Sequence, residues 1–272
     1  MKLAFYRTLW GNTEPLETYI SSLKTKGYAG VETSLLFHSS AEFTLLQSLL
    51  SASDLGIVLL ILTFGSTVTE HIESLSTQLE ASVKCNPVKI NVHGGCDYWS
   101  PDQSDEYFRA VVRLQETYPS VQILHETHRS RIFYNPWVTA RVLKAFPSVY
   151  ITADLSHWVV VCERHLNTPE FKDAMDLVYE RTKHIHARPS TPQFIQLSFV
   201  KDPVFKEDLD AFTGYWKRIL EVQRGLGNTE MTVDPEFGPA PYSLVQGFSG
   251  GKMVRGLDDC SDEVMQIVKE LL

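Results

Sequence analysis

The chain has 272 residues, of which 43% are hydrophobic and 21% charged, ordinary values for a globular chain with enough apolar mass to close a core. Its net charge of −8 counts against a general nucleic-acid binder, because phosphate affinity comes from clustered Lys and Arg. Cys85, Cys96, Cys162 and Cys260 form no CxxC pair and read as free, buried or partly buried thiols, not as a disulfide framework. The opening MKLAFYRTLW lacks the apolar core of a signal peptide. The longest apolar stretch, Leu55 to Phe64, is too short to span a bilayer. These features set the expectation of a cytoplasmic chain in reducing surroundings, with no membrane partner.

In chain order, short apolar runs alternate with longer amphipathic segments. The runs are Leu3–Leu9, Ala29–Thr33, Ile57–Thr63, Val88–Val92, Val121–Leu124, Val149–Ala153, His184–Ala187 and Met231–Val233. Most are rich in β-branched residues and read as strands buried on both faces, as parallel strands are. Helices are expected over Glu14–Lys26, Ala41–Ala52, Thr69–Lys84, Asp102–Thr117, Pro136–Ala145, Pro169–Tyr179, Asp208–Arg224 and Asp258–Leu272. Pro15 suits a first turn, Ser39-Ser40 can cap the second helix and Gly27 marks an end. Successive runs begin roughly 25 to 35 residues apart, the length of a βα unit.

Eight strands and eight helices in strict alternation imply a parallel sheet with right-handed crossovers. Eight repeats without a compositional break favour closure into a (β/α)8 TIM barrel. No GxGxxG or P-loop follows the first strand, which leaves an open doubly wound sheet unsupported. No linker or low-complexity tract divides the chain, so one catalytic domain over 1–272 is expected. Two long loops, Arg188 to about Glu207 and Phe237 to about Gly256, follow strands at the end where barrel active sites lie. They suit either an aromatic-rich lid or packed surface loops.

Four strand ends turn polar: His125-Glu126-Thr127-His128-Arg129, Asp154-Leu155-Ser156-His157-Trp158, His184-Ile185-His186-Ala187-Arg188 and Asp234-Pro235-Glu236-Phe237-Gly238-Pro239. A buried strand rarely ends in an ionisable group without a partner, since an unpaired buried charge costs several kcal/mol. In a barrel, Glu126, Asp154, His186 and Glu236 share one rim. Their three carboxylates would repel, and one divalent cation is the simplest species that holds them together. A set of three carboxylates and one imidazole suits Mn²⁺, Mg²⁺ or Co²⁺, with Zn²⁺ also compatible. Trp10, Phe64, Tyr98, Trp99 and Trp158 follow strands on the same rim and can pack on a sugar face or serve the core. His125, His128 and His184 are candidates to orient the carboxylates.

The succession HETHR, ADLSHW, HIHAR and DPEFGP resembles the xylose-isomerase-like TIM-barrel superfamily, which includes ketose 3-epimerases, hydroxypyruvate isomerase, inosose dehydratase and the endonuclease IV group. The resemblance spans the chain in strand order, with its specific motifs in the second half. It implies that Glu126, Asp154, His186 and Glu236 bind the metal, with Glu126 and Glu236 also forming the acid/base pair on opposite faces of the substrate. His157 and Arg188 match substrate-binding positions. His93 in Asn91-Val92-His93-Gly94-Gly95 matches a metal ligand of the endonuclease branch and reads here as a substrate or structural residue. The implied reaction is proton transfer through a metal-stabilised cis-enediolate, giving isomerisation or epimerisation according to the carbon that is reprotonated.

Alternatives within the resemblance are a lyase or dehydratase acting on a keto-sugar, oxidised glycoside or inosose, and an apurinic-site endonuclease, against which the acidic charge counts. Of the further ligands a trinuclear site needs, Glu32 and His38 are the only early candidates. Arg129 and Arg131 stand where ketose epimerases have a second Glu, and two guanidiniums there can accept a carboxylate or phosphate. The expected partner is a small sugar-like molecule bound near Trp10, His93, Arg129, His157, Trp158 and Arg188. Relatives commonly form homo-oligomers.

Overall fold

The computed structural model describes residues 1–246 and 252–272. Eight strands close into one barrel: β1 Lys2–Thr8, β2 Gly30–Thr33, β3 Gly56–Leu62, β4 Lys89–His93, β5 Gln122–Glu126, β6 Tyr150–Ala153, β7 Thr182–His186 and β8 Glu230–Asp234. Each strand runs parallel to the next, and β8 closes on β1 through Lys2 opposite Glu230 and Phe5 opposite Val233. This is a (β/α)8 TIM barrel, and each of the eight apolar runs contributes a strand.

Period-two alternation divides the strand residues between two environments. Phe5, Val31, Ile90, Val92, Ile151, Ile185 and Val233 join the main buried core. Ala4, Tyr6 and Val58 form a separate small cluster. His184, Thr232, Lys89, Asn91 and Glu32 bond to one another across the barrel.

Around the barrel lie α1 Leu16–Lys26, α2 Ser40–Ala52, α3 Val68–Val83, α4 Pro101–Thr117, α5 Pro136–Ala145, α6 Leu155–Cys162, α7 Lys172–Arg181, α8 Lys206–Gly225 and α9 Leu257–Lys269. Their starts follow from local chemistry. Ser39 with Glu42, Thr67 with Glu70, and Ser100 with Gln103 each form a capping box, in which side chain and backbone satisfy one another's orphan groups. Gly27 ends α1 at φ 86, a left-handed conformation that costs a glycine nothing.

The described residues hold nine α-helices where eight were expected. The extra one, α6, starts at Asp154, whose side chain accepts from the Ser156 amide. Leu155, Ser156, His157, Trp158 and Val159 are all buried. The rest of the helix, Val159-Val160-Val161-Cys162, is apolar in unbroken succession, so no apolar stripe sets off one face and periodicity cannot reveal it. The long loop after β7 is packed: Ile195, Gln196, Leu197, Ser198 and Val200 are buried. Gln196 bonds to both the amide and carbonyl of Gly238 and to Ser243 in the loop after β8. Part of that second loop, residues 247–251, lies outside the described residues. All four cysteines are free thiols, and among the described residues no helix is long and apolar enough to cross a membrane.

Candidate metal centre

The C-terminal rim gathers its polar residues onto His186, the last residue of β7. His186 Nδ1 lies 3.4 Å from Glu126 Oε2, 4.0 Å from Asp154 Oδ2 and 3.2 Å from Glu236 Oε2. Glu126 ends β5, Asp154 follows β6 and caps α6, and Glu236 lies two residues beyond β8. A register irregularity between β6 and β7 at Ile151/Thr152 lies just below Asp154, in keeping with the way bulges re-aim side chains. Glu126, Asp154 and His186 each offer a ligand atom within 4.8 Å of the others.

The other side of the imidazole is fixed by a residue far away in sequence. His186 Nε2 lies 3.2 Å from both carboxylate oxygens of Glu32 in β2. Glu32 also meets His184 Nε2 at 2.9 Å and accepts from Asn91 Nδ2 at 3.1 Å. Asn91 donates to Glu126 Oε2 as well, at 2.5 Å, and His93 Nε2 lies 2.8 Å from that same oxygen. Nε2 is thus engaged by Glu32, leaving Nδ1 to the centre, the outer-partner arrangement that orients metal-binding histidines.

Charge at this end is far from balanced by the protein alone. Glu32, Glu126, Asp154 and Asp234 are buried, and the Glu236 side chain is 15% exposed. Among the described residues Arg188 is the one guanidinium bound to this group: it pairs with Asp154 through Nη2 and lies 3.0 Å from Glu236 through Nη1. Burial raises Asp154 to about 6 despite Arg188. Burial and then the Glu32 carboxylate push Asp234 well above the usual range, and neither of its oxygens has a partner among the described residues. Burial would also raise Glu126 and Glu236, but His93 and His186 outweigh it for Glu126, and Arg188 and His186 for Glu236, so both lie below the usual range. Burial opposes charge on His186, yet Glu32, Glu126 and Glu236 hold it well above the ordinary imidazole value.

A divalent ion fits this set. His186 Nδ1 and Glu236 Oε2 are buried without an aligned hydrogen-bond partner among the described residues, and such groups call for an ion or another ligand. Glu126, Asp154, Glu236 and His186 are donors suited to Mn²⁺, Mg²⁺ or Co²⁺.

Beside the centre opens a cavity of about 250 Å³ whose wall includes Trp10, His93, His128, Arg131, Arg188 and Tyr242. Trp10 meets Tyr242 edge-on at 4.9 Å. It lies so close over Gly238 that a β-carbon there would come within 2.1 Å of the indole. The glycine of the DPEFGP segment is a packing requirement of the cavity wall.

Two expected substrate contacts do not line this cavity. Trp158 is fully buried and donates from Nε1 to the Phe133 carbonyl at 2.8 Å, because α6 turns it into the core. His157 is also fully buried. Its Nε2 lies 3.0 Å from Arg188 Nη2 and 3.8 Å from Asp154 Oδ2, so it stands behind the arginine and does not wall the cavity. Arg129 lies over the Tyr242 ring at 5.1 Å, reaching the cavity wall through that ring. His38 bonds Thr33 at 2.8 Å. His125 is buried among Tyr107, Phe108 and Phe133, and burial lowers it to about 3. It serves the core. Asn91, Asp234 and Tyr242 were not foreseen. A polar residue inside an apolar strand was the available signal for Asn91, and none marked Tyr242 in its loop.

No family model and no curated protein matches the chain by sequence. Its three-dimensional structure does match solved structures. The probable 3-DHS dehydratase AsbF of Bacillus anthracis superposes with a TM-score of 0.63 at 14% identity, covering 99% of each chain. D-Allulose 3-epimerase from Methylomonas sp. gives 0.64 at 14% identity over 100% of this chain and 98% of that one. These matches bear on the fold alone, and that fold is the closed (β/α)8 barrel. Endonuclease IV of Thermus thermophilus, at 0.58, 15% identity and full coverage of both chains, shows that barrels of this shape also include a nuclease. Shape alone leaves the chemistry to the site.

Proposed function

We propose that the chain is a divalent-metal-dependent isomerase or epimerase of a sugar or sugar-derived substrate. The observation that carries this reading is the convergence of Glu126, Asp154 and Glu236, from three separate strand ends, on the unpartnered Nδ1 of His186. Those four residues would hold the ion, which would polarise a substrate carbonyl and acidify the neighbouring C–H.

The rest is done by the chain itself. Glu126 and Glu236 are both held below the usual carboxylate range, so each is ionised at neutral pH and can accept a proton from carbon. In this reading one carboxylate removes the proton and either the same or the other returns it, on the opposite face for an epimer or at the next carbon for an isomer. Arg188 fixes Glu236 and Asp154 relative to each other, and positioning of this kind is worth several kcal/mol in a proton transfer. Trp10 and Tyr242 shield the reacting end from water.

The test is proton NMR in D₂O on the purified chain with Mg²⁺ or Mn²⁺ at a low level, against ketoses, sugar phosphates, keto-acids and inososes. Deuterium should enter a carbon next to a carbonyl and cease to do so when a chelator is added. Loss of water from the product would convert the assignment to a dehydratase using the same proton abstraction. No exchange with any class, on a chain shown to hold metal, would overturn it.

A further inference from the structure

The cavity wall carries a cation that the centre leaves without a counter-charge. Arg131 lines the cavity on the loop that leaves β5 after Glu126. One end of its guanidinium is anchored, with Nη1 donating to the Thr63 carbonyl at 2.9 Å. The loop is also pinned: the Arg131 amide donates to the His128 carbonyl at 3.2 Å and the Ile132 amide to the Gly94 carbonyl at 3.1 Å. Ser130, at a left-handed φ of 62, lines the cavity beside it.

Among the described residues no carboxylate pairs with Arg131, whereas the buried Arg7 pairs with Asp258, Arg188 with Asp154 and Glu236, and the half-buried Arg255 with Glu263. Burial outweighs the surrounding negative groups and pushes the Arg131 guanidinium below its ordinary value. A guanidinium has five donors in a fixed fork, and a desolvated fork with an open side matches a carboxylate's two oxygens. The cavity lining also includes the apolar side chains of Phe37, Leu60 and Leu62.

We propose that Arg131 and Ser130 form a carboxylate subsite, so that the substrate is a small acid (a hydroxy- or keto-acid of the sugar class). This rests on the proposed cation, which offsets Glu126 and Glu236 and lets an anion enter. A carboxylate is favoured over a phosphate because a single fork offers too few donors for a dianion with three terminal oxygens.

The test is calorimetric titration of the Mn²⁺-loaded chain with three acid and polyol pairs, glycerate and glycerol, threonate and threitol, gluconate and glucitol, with glycerol phosphate as the phosphate arm. At least one acid should bind roughly 10- to 100-fold tighter than its polyol, and Arg131→Gln should erase that difference without weakening the polyols. Arg131→Lys, which keeps the charge and loses the fork, should retain part of it and guards against a folding defect. Acids binding no better than polyols, a preference indifferent to Arg131→Gln, or tighter binding of glycerol phosphate would each overturn the proposal. Acid preference without deuterium exchange would remove the reaction and keep the subsite. Exchange on neutral ketoses that Arg131→Gln leaves unchanged would keep the reaction and remove the subsite.

Discussion

The two ends of the barrel interior treat buried charge in opposite ways. At the N-terminal end Lys89 reaches in from the start of β4. Its ammonium donates to the Lys183 carbonyl and, at 2.8 Å, to the Thr232 hydroxyl, so a single charge has local partners. At the C-terminal end Glu32, Glu126, Asp154, Asp234 and Glu236 crowd around one guanidinium and a group of imidazoles, and among the described residues both carboxylate oxygens of Asp234 and the His186 Nδ1 have no aligned hydrogen-bond partner. Burial this incomplete is costly unless something outside the chain completes it. One end is finished by the protein, and the proposed ion and substrate would complete the other.

That contrast is most sharply broken at the acid/base pair. Glu236→Gln keeps the shape and removes the proton acceptor, so deuterium exchange should fall by about 10²- to 10⁴-fold while circular dichroism stays unchanged. Retained exchange would move the proton transfer to another group. Glu32→Gln acts one step back. By loosening the grip on His186 Nε2 it should weaken Mn²⁺ binding by about 10- to 100-fold in an EPR titration. Unaltered affinity would mean that the His186 ring is held by packing alone.

The smallest effect is expected at the finished end. Burial lowers the Lys89 amine to about 8, below its unfolded value of about 10.4. The cost of holding it charged is fully present below pH 8 and relieved as pH rises toward 10, because there the unfolded chain binds more protons. Stability to urea should therefore rise by roughly 2 kcal/mol between pH 7 and 9.5. Lys89→Met should flatten that rise; a slope that survives the substitution would place the titrating group elsewhere.

The sequence by itself determined the barrel, because strands buried on both faces and amphipathic helices leave periods that can be read residue by residue. It also singled out His186 and the three carboxylates, Glu126, Asp154 and Glu236, that surround its Nδ1, since each lies where an apolar run ends in ionisable groups. It gave no sign that Trp158 and His157 are buried, because the short α6 carries no apolar stripe to announce it. Tertiary structure alone decided the partner of His186 Nε2, which lies 154 residues away in β2, and brought Tyr242 of the last loop over Trp10. It also decided that, of the two arginines lining the cavity, Arg188 meets carboxylates and Arg131 pairs with none among the described residues. The physical reason is the same in each case. Periodicity records which face of an element is buried, while charge balance depends on which faces meet when the barrel closes.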